Sequence, residues 1–216
     1  MISNETLLTI ARTVHPITDQ SSVLVRRSSL ANMENKNSVA FMLNSSFFGD
    51  AGSLHISRQD VFDARNGDMT QFLLKALYWG FPTNSHGICS KVIENWETIL
   101  SLTENLLTHP SISSVDYVET IYPVIQQCKG VGMGFFSKLF YFANLTIDDD
   151  KCIILDSFVY KGLERVQGFE KIRRQTSSYT SAPLPYLNYI NGINIVSREA
   201  GVSPDCIEFS LFKTGR

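Results

Sequence analysis

The sequence predicts a mostly α-helical fold with little strand, and three observations lead there. Apolar residues recur at three- and four-residue intervals in successive stretches, those stretches carry helix start and stop signals, and sheet-like alternation is scarce. With 216 residues and hydrophobic side chains at 44%, the chain can bury a real interior, which argues against a disordered protein. No repeat appears and no linker separates independent domains. The chain reads as a single unit with an opaque Ser/Asn-rich part over 1–67, a helical lobe over 68–155 and C-terminal helices over 156–216 completing a second lobe.

Within the first part, a helix is expected over roughly Glu5 to Thr13, then a loop and some extended structure before Asp60. The run Ser28 to Ser38 is almost wholly polar and is followed by a short apolar piece, Val39 to Leu43. The next helix is clearer: Asp68 sits at its start, apolar residues fall at 69, 72, 73, 76 and 77, and Gly80 with Pro82 ends it. Gly87 to Leu107 is the longest periodic stretch, closed by His109 and Pro110. Ser113 and Asp116 form an acidic capping box for a helix over Ser114 to Gln127, which Pro123 should kink or restart. Met133 to Asn144 is apolar almost all round and must be a central, buried helix. Cys152 to Leu155 is too brief for a helix, and Asp156 with Ser157 signals the start of the next, over Phe158 to Val166. A last long helix runs from about Pro183 to Ala200, stopped by Gly201, before a short final element over Ile207 to Phe212.

Charge excludes a strongly basic polyanion binder, because 19 Lys+Arg against 21 Asp+Glu leave a formal net charge of -2. If the chain binds nucleic acid, the positive field must be local. Lys171, Arg173 and Arg174, with Arg26 and Arg27, are the basic clusters available for that, or are simply solvated. The start lacks a basic region followed by an apolar one, and no window approaches a membrane span, so a cytoplasmic protein with no membrane partner is expected. Cys89, Cys128, Cys152 and Cys206 show no paired spacing and read as buried free thiols. Asp148 to Asp150 invites a metal reading, but consecutive loop acids are usually solvated, and no metal site is assigned.

The segment that carries chemistry is Cys128 to Lys138, in which two helices flank a turn where Gly130 and Gly132 bracket Val131. The glycines are free to take positive φ while Val131 tucks between the helices. Such a turn offers backbone N–H groups at the start of the following helix, a phosphate site that needs no net positive charge. On this basis Lys129, Gly130, Val131, Gly132, Gly134 and Lys138 are candidates for holding a phosphate backbone.

Helix, Gly-Val-Gly, helix, followed by Ile153 to Val159 with Asp156 inside it, resembles the helix-hairpin-helix superfamily of DNA glycosylases. Tyr78 to Pro82, Phe136 to Phe142, Leu155 to Ser157 and the tail Ile207 to Phe212 are similar to small bacterial proteins of the 8-oxoguanine glycosylase fold, over roughly Asp68 to Phe212. The resemblance implies a two-lobed helical fold and base excision from DNA, expected to be double-stranded with an altered base. It implies that Asp156 is catalytic, stabilising positive charge on the sugar and positioning water as the base leaves. Bifunctional members carry a Lys two residues beyond the second hairpin glycine, which attacks the sugar to form a Schiff base. Here Gly134 stands at that position, so a monofunctional enzyme leaving an intact abasic site is expected. Lys138, one turn further on, is assigned to the backbone and not to the chemistry.

An extruded base needs a pocket of flat or apolar side chains, for which Tyr78, Trp79 and Phe81 are candidates, with His86 as a polar contact. No cofactor and no obligate protein partner is implied, although a monovalent cation on hairpin carbonyls is compatible with the resemblance. The resemblance implies a role in repair of damaged DNA or in defence against phage DNA with modified bases, with a bacterial-type cytoplasmic location, at the nucleoid when acting, as the expectation. Blander readings stay open: the glycine turn as a helix cap, Asp156 as an N-cap only, and Tyr78 and Trp79 as core. A non-catalytic DNA-binding module of the same fold is the main alternative. An RNA-directed enzyme or nuclease is less favoured, since neither a metal cluster nor a strong general base stands out.

Overall fold

The computed structural model describes residues 1–84, 87–176 and 183–216. The chain opens with α1 (Asn4–Ala11), capped by the Ser3 side chain, and α2 (Pro16–Asp19). β1 (Val23–Arg26), a 3-10 turn, α3 (Ala31–Glu34), α4 (Ser38–Phe48), β2 (Ser53–Ile56) and α5 (Arg58–Ala64) follow. β1 and β2 pair antiparallel with Val23 opposite Ile56, the extended structure expected before Asp60.

α4 extends the short apolar piece at Val39 into three turns. The Asn37 side chain caps it, accepting from the Val39 and Ala40 N–H groups. Its polar residues include Asn44, fully buried between Glu34 and the Tyr78 hydroxyl, so composition hides an inward-facing position there. α5 starts on a capping box of Ser57 and Asp60.

α6 (Met69–Gly80) is capped by Asp68 as expected. The long periodic stretch after it divides at Asn95 into α7 (Ile88–Glu94) and α8 (Trp96–Thr108). The Ser113–Asp116 capping box forms at α9 (Ser114–Asp116) and leads through a π-helical turn, Tyr117–Ile121, into α10 (Tyr122–Gln127) with Pro123 in its first turn. Pro123 therefore restarts the helix where a normal i to i−4 ladder could not continue.

α11 (Met133–Ala143) is the central helix, buried from Met133 to Ala143 apart from half-buried Gly134, and packed on α5, α6 and α8. Asn144, in the left-handed conformation, ends it before the acidic run is reached. That run forms the turn between β4 (Thr146–Ile147) and β5 (Asp150–Lys151), with β3 (Ser111–Ile112) parallel to β4. Two of its three acids are engaged structurally: Asp148 accepts from the Ser114 N–H, and Asp150 from Arg198 and Asn191.

α12 (Ser157–Arg165), α13 (Glu170–Thr176), α14 (Pro183–Ala200) and α15 (Pro204–Gly215) complete the chain. The final element is thus a full helix. α12 and α15 approach so closely that a Cβ at Gly162 would strike the Leu211 carbonyl and one at Gly215 the Phe158 carbonyl. This contact fixes the aromatic face of α15 relative to the N-terminus of α12. Cys89, Cys128 and Cys152 are buried free thiols and Cys206 is half-buried, and no helix among the described residues is long and apolar enough to cross a membrane.

Candidate active site

The strap Cys152 to Leu155 leads into α12 and is held from both sides. Tyr186 and Tyr189 of α14 donate their hydroxyls to the carbonyls of Ile153 and Ile154, at 3.1 and 2.9 Å. Ser137 of α11 donates to the Leu155 carbonyl and accepts from its N–H, at 3.2 and 3.0 Å. The next residue is Asp156, whose position is therefore set by two buried helices.

Asp156 has two jobs, one for each oxygen. Oδ1 caps α12 by accepting from the Phe158 and Val159 N–H groups, both at 3.0 Å. Oδ2 faces the Lys138 ammonium at 3.0 Å. Burial on its own would raise the carboxyl's pKa, but the Lys138 charge and the two amide donors outweigh it. The net effect holds Asp156 below the usual carboxylate range and ionised at neutral pH.

Lys138 departs from the expectation of a backbone-phosphate contact, because its side chain is 4% exposed and turned inward. Position 138 is one helical turn beyond 134 on the same face of α11, so Nζ reaches back to the Gly134 carbonyl at 3.0 Å as well as to Asp156. The Phe81 ring lies 5.2 Å from Nζ. Gly80 supplies the room, since a Cβ there would come within 2.7 Å of the Lys138 Cδ.

Lys138 and Asp156 open onto a cavity of about 450 Å³, walled in part by Trp79, Phe209 and Phe212 and also lined by Gln20, Lys213 and Arg216. The Phe209 and Phe212 rings lie nearly parallel with centroids 6.3 Å apart, and Phe158 meets Phe212 edge-on at 5.7 Å. Of the residues expected at a base pocket, Trp79 lines this cavity. Tyr78 does not: it is fully buried against Phe47 and Phe48 with its hydroxyl on Asn44, so it belongs to the core. Phe81 touches the site through Lys138, and His86 lies outside the described residues.

The hairpin forms as a separate feature between α10 and α11. Gly130 takes φ 80°, Val131 is buried at 7% exposure, and Lys129, Gly130 and Gly132 are exposed. Gly132 corrects the expectation of two positive-φ glycines, because its φ of −100° and ψ of 176° are extended backbone. It is the N-cap of α11 and offers no side chain, so no side-chain acceptor caps the Met133 and Gly134 N–H groups, while the Phe135 N–H bonds the Gly132 carbonyl. Among the basic clusters, Arg27 is engaged by Glu34 and Ser45.

The residues not anticipated are Gln20, Phe158, Phe209, Phe212, Lys213 and Arg216 in the cavity, and Arg58 behind it. Arg58 is 1% exposed and donates to Gln20, Tyr141 and Glu208. Its guanidinium packs over the rings of Trp79, Tyr141 and Phe209 at 5.2, 5.0 and 5.7 Å. Burial pushes the Glu208 carboxyl up to about 7 against the pull of Arg58, with Asp156 and Asp205 adding repulsion. The i, i+3 spacing of Phe209 and Phe212 was the available signal for this wall.

A family model described as "Putative 8-oxoguanine DNA glycosylase OGG-like protein" matches residues 17–212. No curated protein and no solved structure matches the chain.

Proposed function

The chain belongs to the family of OGG-like proteins of the DNA glycosylase type, and from that premise we propose that it excises an altered base from DNA at the Lys138–Asp156 site. The observation that carries this is the 3.0 Å contact between Asp156 Oδ2 and Lys138 Nζ, within a ring-walled cavity large enough for a nucleobase. As the base departs, positive charge builds on the sugar, and a nearby ionised carboxylate lowers that barrier.

The placement of Lys138 beside Asp156 supports an amine route as well as the expected hydrolytic one. The amine that Gly134 lacks is supplied from the next turn of α11, beside the carboxylate. The departing base, anionic unless protonated, is an acceptor for one proton of the Lys138 ammonium. That transfer neutralises the leaving group and frees the Nζ lone pair. The C1′–N bond to the base breaks and a C1′–Nζ bond forms, an Nζ proton passes to O4′ as the ring opens to a protonated imine, and loss of a C2′ proton to water then expels the 3′ phosphate by β-elimination. The hydrolytic route remains the second reading, favoured by the two acceptors, Asp156 and the Gly134 carbonyl, that hold Nζ as an ammonium. In it water attacks the sugar and an abasic site remains.

Duplex DNA would run along the N-terminus of α11, with phosphates on the hairpin Lys129 to Gly134, and the base would turn into the cavity between Trp79 and the α15 rings. The physiological setting is repair, or defence against DNA carrying modified bases. Mass spectrometry of free bases released from duplexes with damaged, deaminated or modified bases tests the proposal, with Asp156→Asn as control. Release that depends on Asp156 supports it. Binding without release from any of these duplexes supports the non-catalytic module.

A further inference from the structure

The cavity contains an oriented hydrogen-bond donor that the excision chemistry does not use. Gln20 follows α2, lines the cavity and is half-buried. Its Oε1 accepts from Arg58 Nε at 2.9 Å. A guanidinium only donates, so the amide oxygen must face Arg58 and the NH₂ group must point the other way. That NH₂ has no hydrogen-bond partner among the described residues.

Arg58 is itself locked. Its side chain is gripped by the Tyr141 hydroxyl at 3.0 Å, the Glu208 carboxylate at 3.3 Å and three aromatic faces, two of which, Trp79 and Phe209, wall the same cavity. The carboxylates lining the cavity are already engaged: Asp19 accepts from the His15 N–H and the Thr18 hydroxyl, and Asp156 from α12 and Lys138. The Gln20 NH₂ is thus an unpartnered donor on a residue of the cavity wall.

We propose that Arg58 is a positioning residue that turns the Gln20 amide so that its NH₂ reads a carbonyl acceptor on the extruded base. The substrate class is then oxidised or deaminated bases that present a carbonyl at this point, with bases that present an amino group there rejected. This rests on the glycosylase reading and adds the chemical class of its substrate. Rejection follows because an amino group facing the Gln20 NH₂ would leave both donors unpaired and desolvated.

The test uses duplexes with one 2′-fluoro nucleotide, which resists cleavage, bearing uracil, hypoxanthine, xanthine or 8-oxoguanine, or bearing adenine or cytosine. Each affinity is divided by that for a tetrahydrofuran duplex, which has no base. The wild-type chain should prefer at least one carbonyl base over both amino bases by roughly tenfold or more, the scale of one hydrogen bond and an unpaired group. Gln20→Glu keeps an acceptor for Arg58 and replaces the donor, so it should abolish or invert that preference. Gln20→Met, which removes the donor without adding charge, should bring it near unity. Arg58→Lys should weaken the preference while Gln20→Glu covers the case in which the Arg58 variant fails to fold. No preference in the wild-type chain, or a preference untouched by both Gln20 variants, overturns the proposal. Base release from the same duplexes made with ordinary deoxyribose is read separately. Its absence alongside an intact, Gln20-dependent preference would sink the excision reading alone.

Discussion

Gly80 and Lys138 are complementary across two helices: the missing Cβ of one is the space occupied by the side chain of the other, with 2.7 Å from a built Cβ to the Lys138 Cδ. Gly80 is the last residue of α6, and Lys138 lies in the middle of α11. The Lys138–Asp156 pair therefore depends on the missing side chain of a residue in another helix.

Gly80→Ala should displace Lys138 from Asp156 and leave the fold standing, because the atom struck belongs to a flexible side chain. Base release should fall roughly tenfold or more, the effect expected of an ångström-scale misplacement of a reacting group. Circular dichroism and the melting temperature should change little. An active Gly80→Ala variant would mean that the position of Lys138 does not matter to the reaction.

Asp156→Asn should separate capping from chemistry. Asn accepts from the Phe158 and Val159 amides as Asp does, so α12 keeps its cap. The carboxylate charge is lost, and single-turnover base release should fall roughly 10²- to 10³-fold, the range for losing one preorganised electrostatic group. Affinity for an uncleavable duplex should hold or rise, since a negative charge facing DNA has gone.

Ser137→Ala should weaken the site from behind. It removes both hydrogen bonds that tie Leu155 to α11, leaving a buried N–H and carbonyl short of a partner. A loss of about 1–3 kcal/mol in chemical denaturation is expected, with a parallel loss of activity as Asp156 shifts.

Glu208 gives the stability of the fold a pH dependence whose sign is fixed. Its folded pKa is pushed up to about 7 from an ordinary 4.5, so between those values the folded chain holds more proton than the unfolded one. Stability from this group is fully present below the unfolded pKa and is lost as pH rises through about 7. Glu208→Gln should flatten the fall in melting temperature between pH 5 and pH 8. A steeper fall in the variant would contradict the assignment.

Much of the scaffold was legible because it is written locally. The caps at Asp68, Ser113 and Asp156 and the all-round apolar run of α11 need only neighbouring residues to be recognised, and all appear where expected. The expectation of a phosphate contact at Lys138 fails because counting from the hairpin glycines does not show which way its side chain turns. Helix geometry puts 138 on the face of 134, and the room it needs comes from Gly80, 58 positions away in another helix. α4 was lost to its Asn and Ser content, although Asn44 is a core residue with buried partners. Tyr78 and Trp79 are adjacent in sequence and point to different places, which no composition rule separates. The cavity wall from α15 and the Gln20–Arg58 contact join residues far apart in the chain, so only the fold reveals them.

The most direct test of the Lys138–Asp156 assignment is borohydride reduction during reaction with a duplex that releases its base. An imine to Lys138 would be trapped as a stable protein–DNA adduct, and peptide mapping should place it on Lys138, with no adduct in Lys138→Met. Base release without any adduct, and strand breakage only after alkali, would contradict the amine route and leave hydrolysis at Asp156 as the mechanism.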